Sequence, residues 1–61
     1  MKELDVVRLK EEFKGLPAGT EGTIVLEHDG SCFEVEYFDA NSDTIDVFTT
    51  PAEFLELVTK V

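Results

Sequence analysis

His28, Cys32 and Tyr37 are the single histidine, cysteine and tyrosine of this 61-residue chain, and the residues best suited to proton transfer or nucleophilic attack. They lie within ten residues of one another, yet no Ser-His-Asp order of recognisable spacing accompanies them. His28 flanks Asp29-Gly30, a tight-turn signal, where an exposed imidazole has nothing to orient it as a base. Cys32 shares the outward parity of Glu34 and Glu36. Acidic neighbours raise a thiol pKa and oppose thiolate formation. Neither residue carries a catalytic role in this reading, and no enzymatic activity is expected. His and Cys do not cluster at zinc-ligand spacing. The run Asp39-Ala40-Asn41-Ser42-Asp43 offers oxygen ligands in the manner of a calcium loop. It lacks the central glycine and distal bidentate glutamate of an EF-hand, so it reads as a solvated hairpin loop. No metal or other cofactor is expected.

The carboxylates matter more as a surface. Fourteen acids against five bases give a net charge of −9. The bases are Lys2, Arg8, Lys10, Lys14 and Lys60, scattered and mostly near the N-terminus. Such a surface repels phosphate and anionic lipid, and favours basic proteins and cations as partners. No nucleic acid and no membrane is expected among the partners. One cysteine cannot form a disulfide within the chain, which suits a reducing cytoplasm. Met1–Asp5 has no apolar signal core, and no run of residues is long and apolar enough to span a bilayer.

The elements that position these residues are short strands. The first expected strand is Leu4 to Leu9. A polar loop from Lys10 to Thr20 follows, with Gly15, Pro17 and Gly19 marking turns. Residues Gly22–Glu27, Cys32–Phe38 and Thr44–Thr50 then alternate as three strands. Asp29-Gly30 predicts a two-residue type I′ hairpin. That turn pairs Leu26 with Phe33, Ile24 with Val35 and Gly22 with Tyr37. The loop 39–43 pairs Phe38 with Thr44, Tyr37 with Ile45, Val35 with Val47 and Phe33 with Thr49. The inward rows are then Gly22/Tyr37/Ile45, Ile24/Val35/Val47 and Leu26/Phe33/Thr49, and a one-residue slip would turn every side chain over. Pro51–Glu53 reads as one helical turn, proline suiting a first helical position. Phe54–Val58 is expected as a last strand with Leu55 and Leu57 inward. A helix over Pro51–Lys60 competes, since Phe54, Leu57 and Val58 also have helical spacing.

Together these elements predict one all-β domain over residues 1–61, a small five-stranded SH3-like barrel with a single helical turn before the last strand. Leu4-Asp5-Val6-Val7-Arg8-Leu9, Gly19-Thr20-Glu21-Gly22-Thr23-Ile24-Val25 and Phe33-Glu34-Val35-Glu36-Tyr37 resemble a family of small stand-alone bacterial proteins known as a domain of unknown function. The resemblance implies the barrel and carries over no catalytic residue. The Gly-x-x-Gly-Thr-Ile-Val run also occurs in ribosome- and RNA-associated modules of the KOW type, but the basic loops of those modules are lacking here.

On the outward face, the expected rows are Thr23/Glu36/Asp46 and Val25/Glu34/Phe48. Glu36 would directly oppose Asp46, a like-charge pair costing a few tenths of a kcal/mol up to about 1. Glu34, Glu36, Asp46, Phe48 and Phe38 are therefore the candidate partner-binding residues, aromatics ringed by carboxylates that suit a basic or Arg-rich protein. A proline-peptide reader is disfavoured, because the chain has no Trp and its Tyr faces inward. Phe13 is either a loop contact or packed onto the barrel edge. The expected function is a non-enzymatic acidic protein-interaction module with a protein partner, a basic one being favoured, by analogy with antitoxin and immunity proteins. The alternative is a structural homodimer or accessory domain burying Val25, Phe38 and Phe48. The remote alternative is a nucleic-acid-associated KOW-like module.

Overall fold

A computed structural model describes residues 1–59 and places five antiparallel strands in one sheet. They are β1 (Val6–Leu9), β2 (Glu21–Glu27), β3 (Cys32–Phe38), β4 (Thr44–Pro51) and β5 (Leu55–Thr59), with a 3-10 turn at Ala52–Phe54. The order across the sheet is β4-β3-β2-β1-β5. This is the expected all-β, SH3-like arrangement, with one helical turn before the last strand. That turn lies one residue later than Pro51–Glu53, with Pro51 as its N-cap. The C-terminal segment is a strand over 55–59 and not a helix; position 60 lies outside the described residues. Residues 4 and 5 do not belong to β1. Leu4 has φ of +74° and its N–H donates to Ile24 O, which folds the N-terminus down beside β2.

Strand alternation builds the core. Val7 and Leu9, Ile24, Phe33, Val35, Tyr37 and Leu55 are buried, with Leu16 contributed by the first loop. Gly22, in β2, has no room for a side chain. A Cβ there would lie 2.6 Å from Val35 Cγ1, 2.7 Å from Glu36 O and 3.1 Å from Tyr37 Cδ1. Within the first loop, Phe13 and Leu16 exchange both backbone hydrogen bonds across Lys14 and Gly15. Both central residues have positive φ, +51° and +84°, as a type I′ turn requires. Phe13 packs down onto the barrel, 4.9 Å centre to centre from Phe54 and edge-on to Phe48 at 6.4 Å.

The register departs from expectation at two bulges. Gly22↔Tyr37 and Ile24↔Val35 pair as predicted, but the β2–β3 ladder shifts at Val25, so Leu26 faces Glu34 and Glu27 faces Phe33. Leu26 is thereby turned outward. Asp29-Gly30 does not form a two-residue turn. Only Gly30 has positive φ, and the Asp29 carboxylate accepts from the Ser31 amide and hydroxyl, closing a longer Asx-type loop in which the His28 N–H donates to Cys32 O.

The second bulge, at Ile45, has the larger consequence. Phe38 pairs with Thr44 as expected, but Tyr37 then faces Asp46, Glu36 faces Val47, Val35 faces Phe48 and Phe33 faces Thr50. The whole of β4 beyond Ile45 is turned over relative to the prediction. Ile45 and Val47, expected inward, are exposed; Phe48, expected outward, packs against the core; Thr50 is fully buried. In β5, Leu55 is buried as expected, whereas Leu57 is exposed, beside the point where the β1–β5 register breaks at Val6/Val7.

Candidate protein-binding face

Three rows make up the outer face of β2, β3 and β4. They are Leu26/Glu34/Thr49, Thr23/Glu36/Val47 and Glu21/Phe38/Thr44. Extra residues at Val25 and Ile45 bend the strands between these rows, as bulges do. The carboxylates in the first two rows are held by threonine hydroxyls from β4. Thr49 Oγ1 donates to Glu34 Oε2 at 2.6 Å, and Thr44 Oγ1 donates to Glu36 Oε2 at 2.7 Å. Each threonine fixes a charge that would otherwise swing freely in water. The bonds from Thr49 and then from His28 hold the Glu34 carboxyl below the ordinary glutamate range.

The expected opposition of Glu36 and Asp46 does not occur, because the Ile45 bulge puts Val47 opposite Glu36. Asp46 falls in the inward row with Tyr37 but at the open end of the sheet, where it is exposed. Its Oδ1 accepts the Val47 N–H at 2.8 Å. Phe48 leaves the outer face altogether. It packs beside Phe13 and Tyr37, and Lys14 Nζ lies 5.5 Å from its ring centre, over the face of the aromatic. Of the five candidate residues, the outer face therefore brings together Glu34, Glu36 and Phe38, but not Asp46 or Phe48.

In place of those two it presents Ile45 and Val47, respectively 45% and 46% exposed, which sequence reasoning assigned to the core. The signal for them was present. β4 reads Ile45, Val47 on one parity and Phe48, Thr50 on the other, so either set could have been the inward one.

His28 differs from expectation as well. Its Nε2 lies 2.8 Å from Glu34 Oε2, so the imidazole does have an orienting carboxylate. Among the described residues no nucleophile bonds the ring. The Ser31 hydroxyl donates to Asp29, and Cys32 is half-buried opposite Pro51. In the loop 39–43, Asp39 Oδ1 accepts from the amides of Asn41 and Asp43 and so serves the loop's own backbone. Among the described residues no three His, Cys, Asp or Glu side chains converge as a metal site. No helix of the described residues is long and apolar enough to cross a membrane.

At one end the outer face deepens into a groove of about 570 Å³. One wall is the end of the first loop, Pro17 to Thr20; the other is the loop after β3, with Asp39, Ala40 and Ser42. Glu21, Phe38 and Ile45 line it from the strands. A turn at Pro17, whose carbonyl accepts from both the Thr20 amide and hydroxyl, shapes the first wall.

A protein-family model described as a domain of unknown function (DUF4926) matches residues 3–57. The chain belongs to that family. The match takes in all of β1 to β4, the 3-10 turn and most of β5, so the family and the barrel-like sheet share nearly the same bounds. The family's description assigns it no activity, ligand or residue role. No curated protein and no solved structure is significantly similar to the chain.

Proposed function

We propose that this chain is a non-enzymatic, acidic protein-interaction module whose partner is a basic protein of the bacterial cytoplasm. The observation that carries the reading is the first half of β4. Thr44, Ile45, Asp46 and Val47 are all exposed, two of them aliphatic, within a surface dominated by carboxylates. Exposed aliphatic side chains rimmed by polar groups are the usual composition of a protein-docking surface. The carboxylates select the sign of the partner.

The homodimer alternative loses Phe48 as a contact, because that ring is engaged with Phe13 and Tyr37. It must also bring together two chains that each carry a net charge of −9. The test is affinity capture from the native cell, with the unaltered chain and with Val47→Glu as paired baits. The unaltered chain is expected to retain a basic protein at low salt, to release it as salt is raised, and to lose it in the variant. Identical capture by both baits, or binding indifferent to salt, would refute the reading.

A further inference from the structure

β4 is an edge strand. Among the described residues nothing pairs with its far side, and its first four residues are exposed on both faces. A strand edge of this kind presents unpaired amides and carbonyls to any extended chain that can reach it. The Val47 N–H shows the condition directly, since it donates to the exposed carboxylate of Asp46 within β4 itself. The groove adjoins this edge, and Ile45 belongs to both. Its polar lining includes Glu21 and Asp39, and among the described residues no basic side chain lines it.

We propose that the edge of β4 from Thr44 to Val47 accepts an extended segment of the basic partner as a sixth strand. The segment alternates small aliphatic with lysine or arginine side chains, and one basic side chain enters the groove beside Ile45. This rests on the reading that the partner is a basic protein, and it names the surface and the mode. Main-chain bonds to β4 supply affinity that is indifferent to sequence, and alternate side chains supply selectivity. On the outer face the basic side chains lay their methylene stems over Ile45 and Val47 and carry their charges towards Glu36 and Glu21. The alternate aliphatic side chains lie on the other face, beside Asp46. Charge decides against a second copy as the occupant. Pairing β4 with β4 of another molecule would set Asp46 and Glu36 near their own counterparts, between two bodies of net charge −9.

The test uses two capped hexapeptides, one alternating valine with lysine and one alternating valine with glutamate, titrated into the isotope-labelled chain at low salt. Chemical shifts and amide exchange are read residue by residue. The lysine peptide is expected to shift the amides of 44–47 and of Ala18–Thr20, and to slow exchange at Val47 by about tenfold or more at saturation. The glutamate peptide is expected to do neither. Asp46→Lys, an exposed substitution, is expected to weaken the lysine peptide by about fivefold or more. Lysine-peptide binding that shifts only other surfaces would overturn the strand-addition proposal and leave the basic-partner reading standing. Equal binding of both peptides along β4 would overturn the charge selection. No binding of the lysine peptide at low salt overturns this proposal, and paired-bait capture then decides the broader reading independently.

Discussion

Thr50→Val removes one hydroxyl from a site with no access to water. Tyr37 and Thr50 are each 0% exposed, and their oxygens are 2.7 Å apart. Thr50 Oγ1 donates onward to Phe48 O at 3.2 Å, so the phenol donates to Thr50. Valine keeps the shape of threonine and strands the Tyr37 O–H, at a cost of about 1–3 kcal/mol for an unsatisfied buried donor. Tyr37→Phe leaves Thr50 still bonded to Phe48 O and forfeits one net hydrogen bond, about 0.5–1.5 kcal/mol. The double variant leaves neither group stranded, so its cost should fall below the sum of the singles by about 1 kcal/mol. For a domain of this size each kcal/mol moves the midpoint of thermal unfolding by about 4–8 °C. Urea unfolding of the four proteins measures the cycle. Additive single costs, or a Thr50→Val cost under about 0.5 kcal/mol, would refute the buried relay.

The same pair sets a dependence on alkali. Burial pushes the Tyr37 phenol above its ordinary value, and the Thr50 hydroxyl opposes this in part because it can turn from Phe48 O to donate to a phenolate. The unfolded chain loses this proton near pH 10 while the folded chain still holds it. The contribution of the neutral phenol is thus fully present below about pH 10 and declines as pH rises from there towards the folded-state value. Tyr37→Phe should lack this decline. With one tyrosine and no tryptophan, ultraviolet titration reads the group alone.

Gly22→Ala should destabilise the fold by about 1–3 kcal/mol, because the new Cβ meets the Glu36 carbonyl, which cannot swing aside; calorimetry reads the drop. Phe48→Ser should lower stability first, by opening the Phe13–Phe48–Tyr37 packing. Loss of partner binding at a temperature where this variant remains fully folded would show that Phe48 is reached from outside after all. The Glu34 carboxyl should titrate below the ordinary glutamate value and move up in Thr49→Val, followed by carbon-detected NMR. Its pH contribution is present above the unfolded value and disappears as pH falls through the folded one.

The central strand was legible because its two parities differ completely. Phe33, Val35 and Tyr37 alternate with Cys32, Glu34 and Glu36, and only one orientation buries no carboxylate. Its pairing with Gly22 and Ile24 followed from that. β4 carries no such contrast, since apolar residues fall on both parities. Its orientation was settled by long-range demands invisible in the local pattern. The buried phenol of Tyr37 needs a partner, which Thr50 supplies, and Phe13 and Tyr37 offer Phe48 an aromatic neighbourhood. The bulge at Ile45 is the adjustment that lets the loop 39–43 close while these contacts form. Turn chemistry misled in a similar way. Asp29 spends its carboxylate on Ser31, whereas the two-residue positive-φ turn falls at Lys14-Gly15 inside a loop that reads as irregular. The candidate face inherited these errors: Glu34, Glu36 and Phe38 share it, while Ile45 and Val47 replace Asp46 and Phe48.

The open edge of β4 also bears on how molecules of this chain keep apart. With a sequence isoelectric point near 4.2, mild acid removes the mutual repulsion that holds copies away from one another. At that pH positive and negative charges balance over the chain, and a short aliphatic edge strand has lost the net charge that guards it. Light scattering should therefore rise as pH approaches 4.2 and fall again when charge is restored on either side. Charge at neutral pH, on this view, keeps the edge available to a partner by denying it to the protein's own kind.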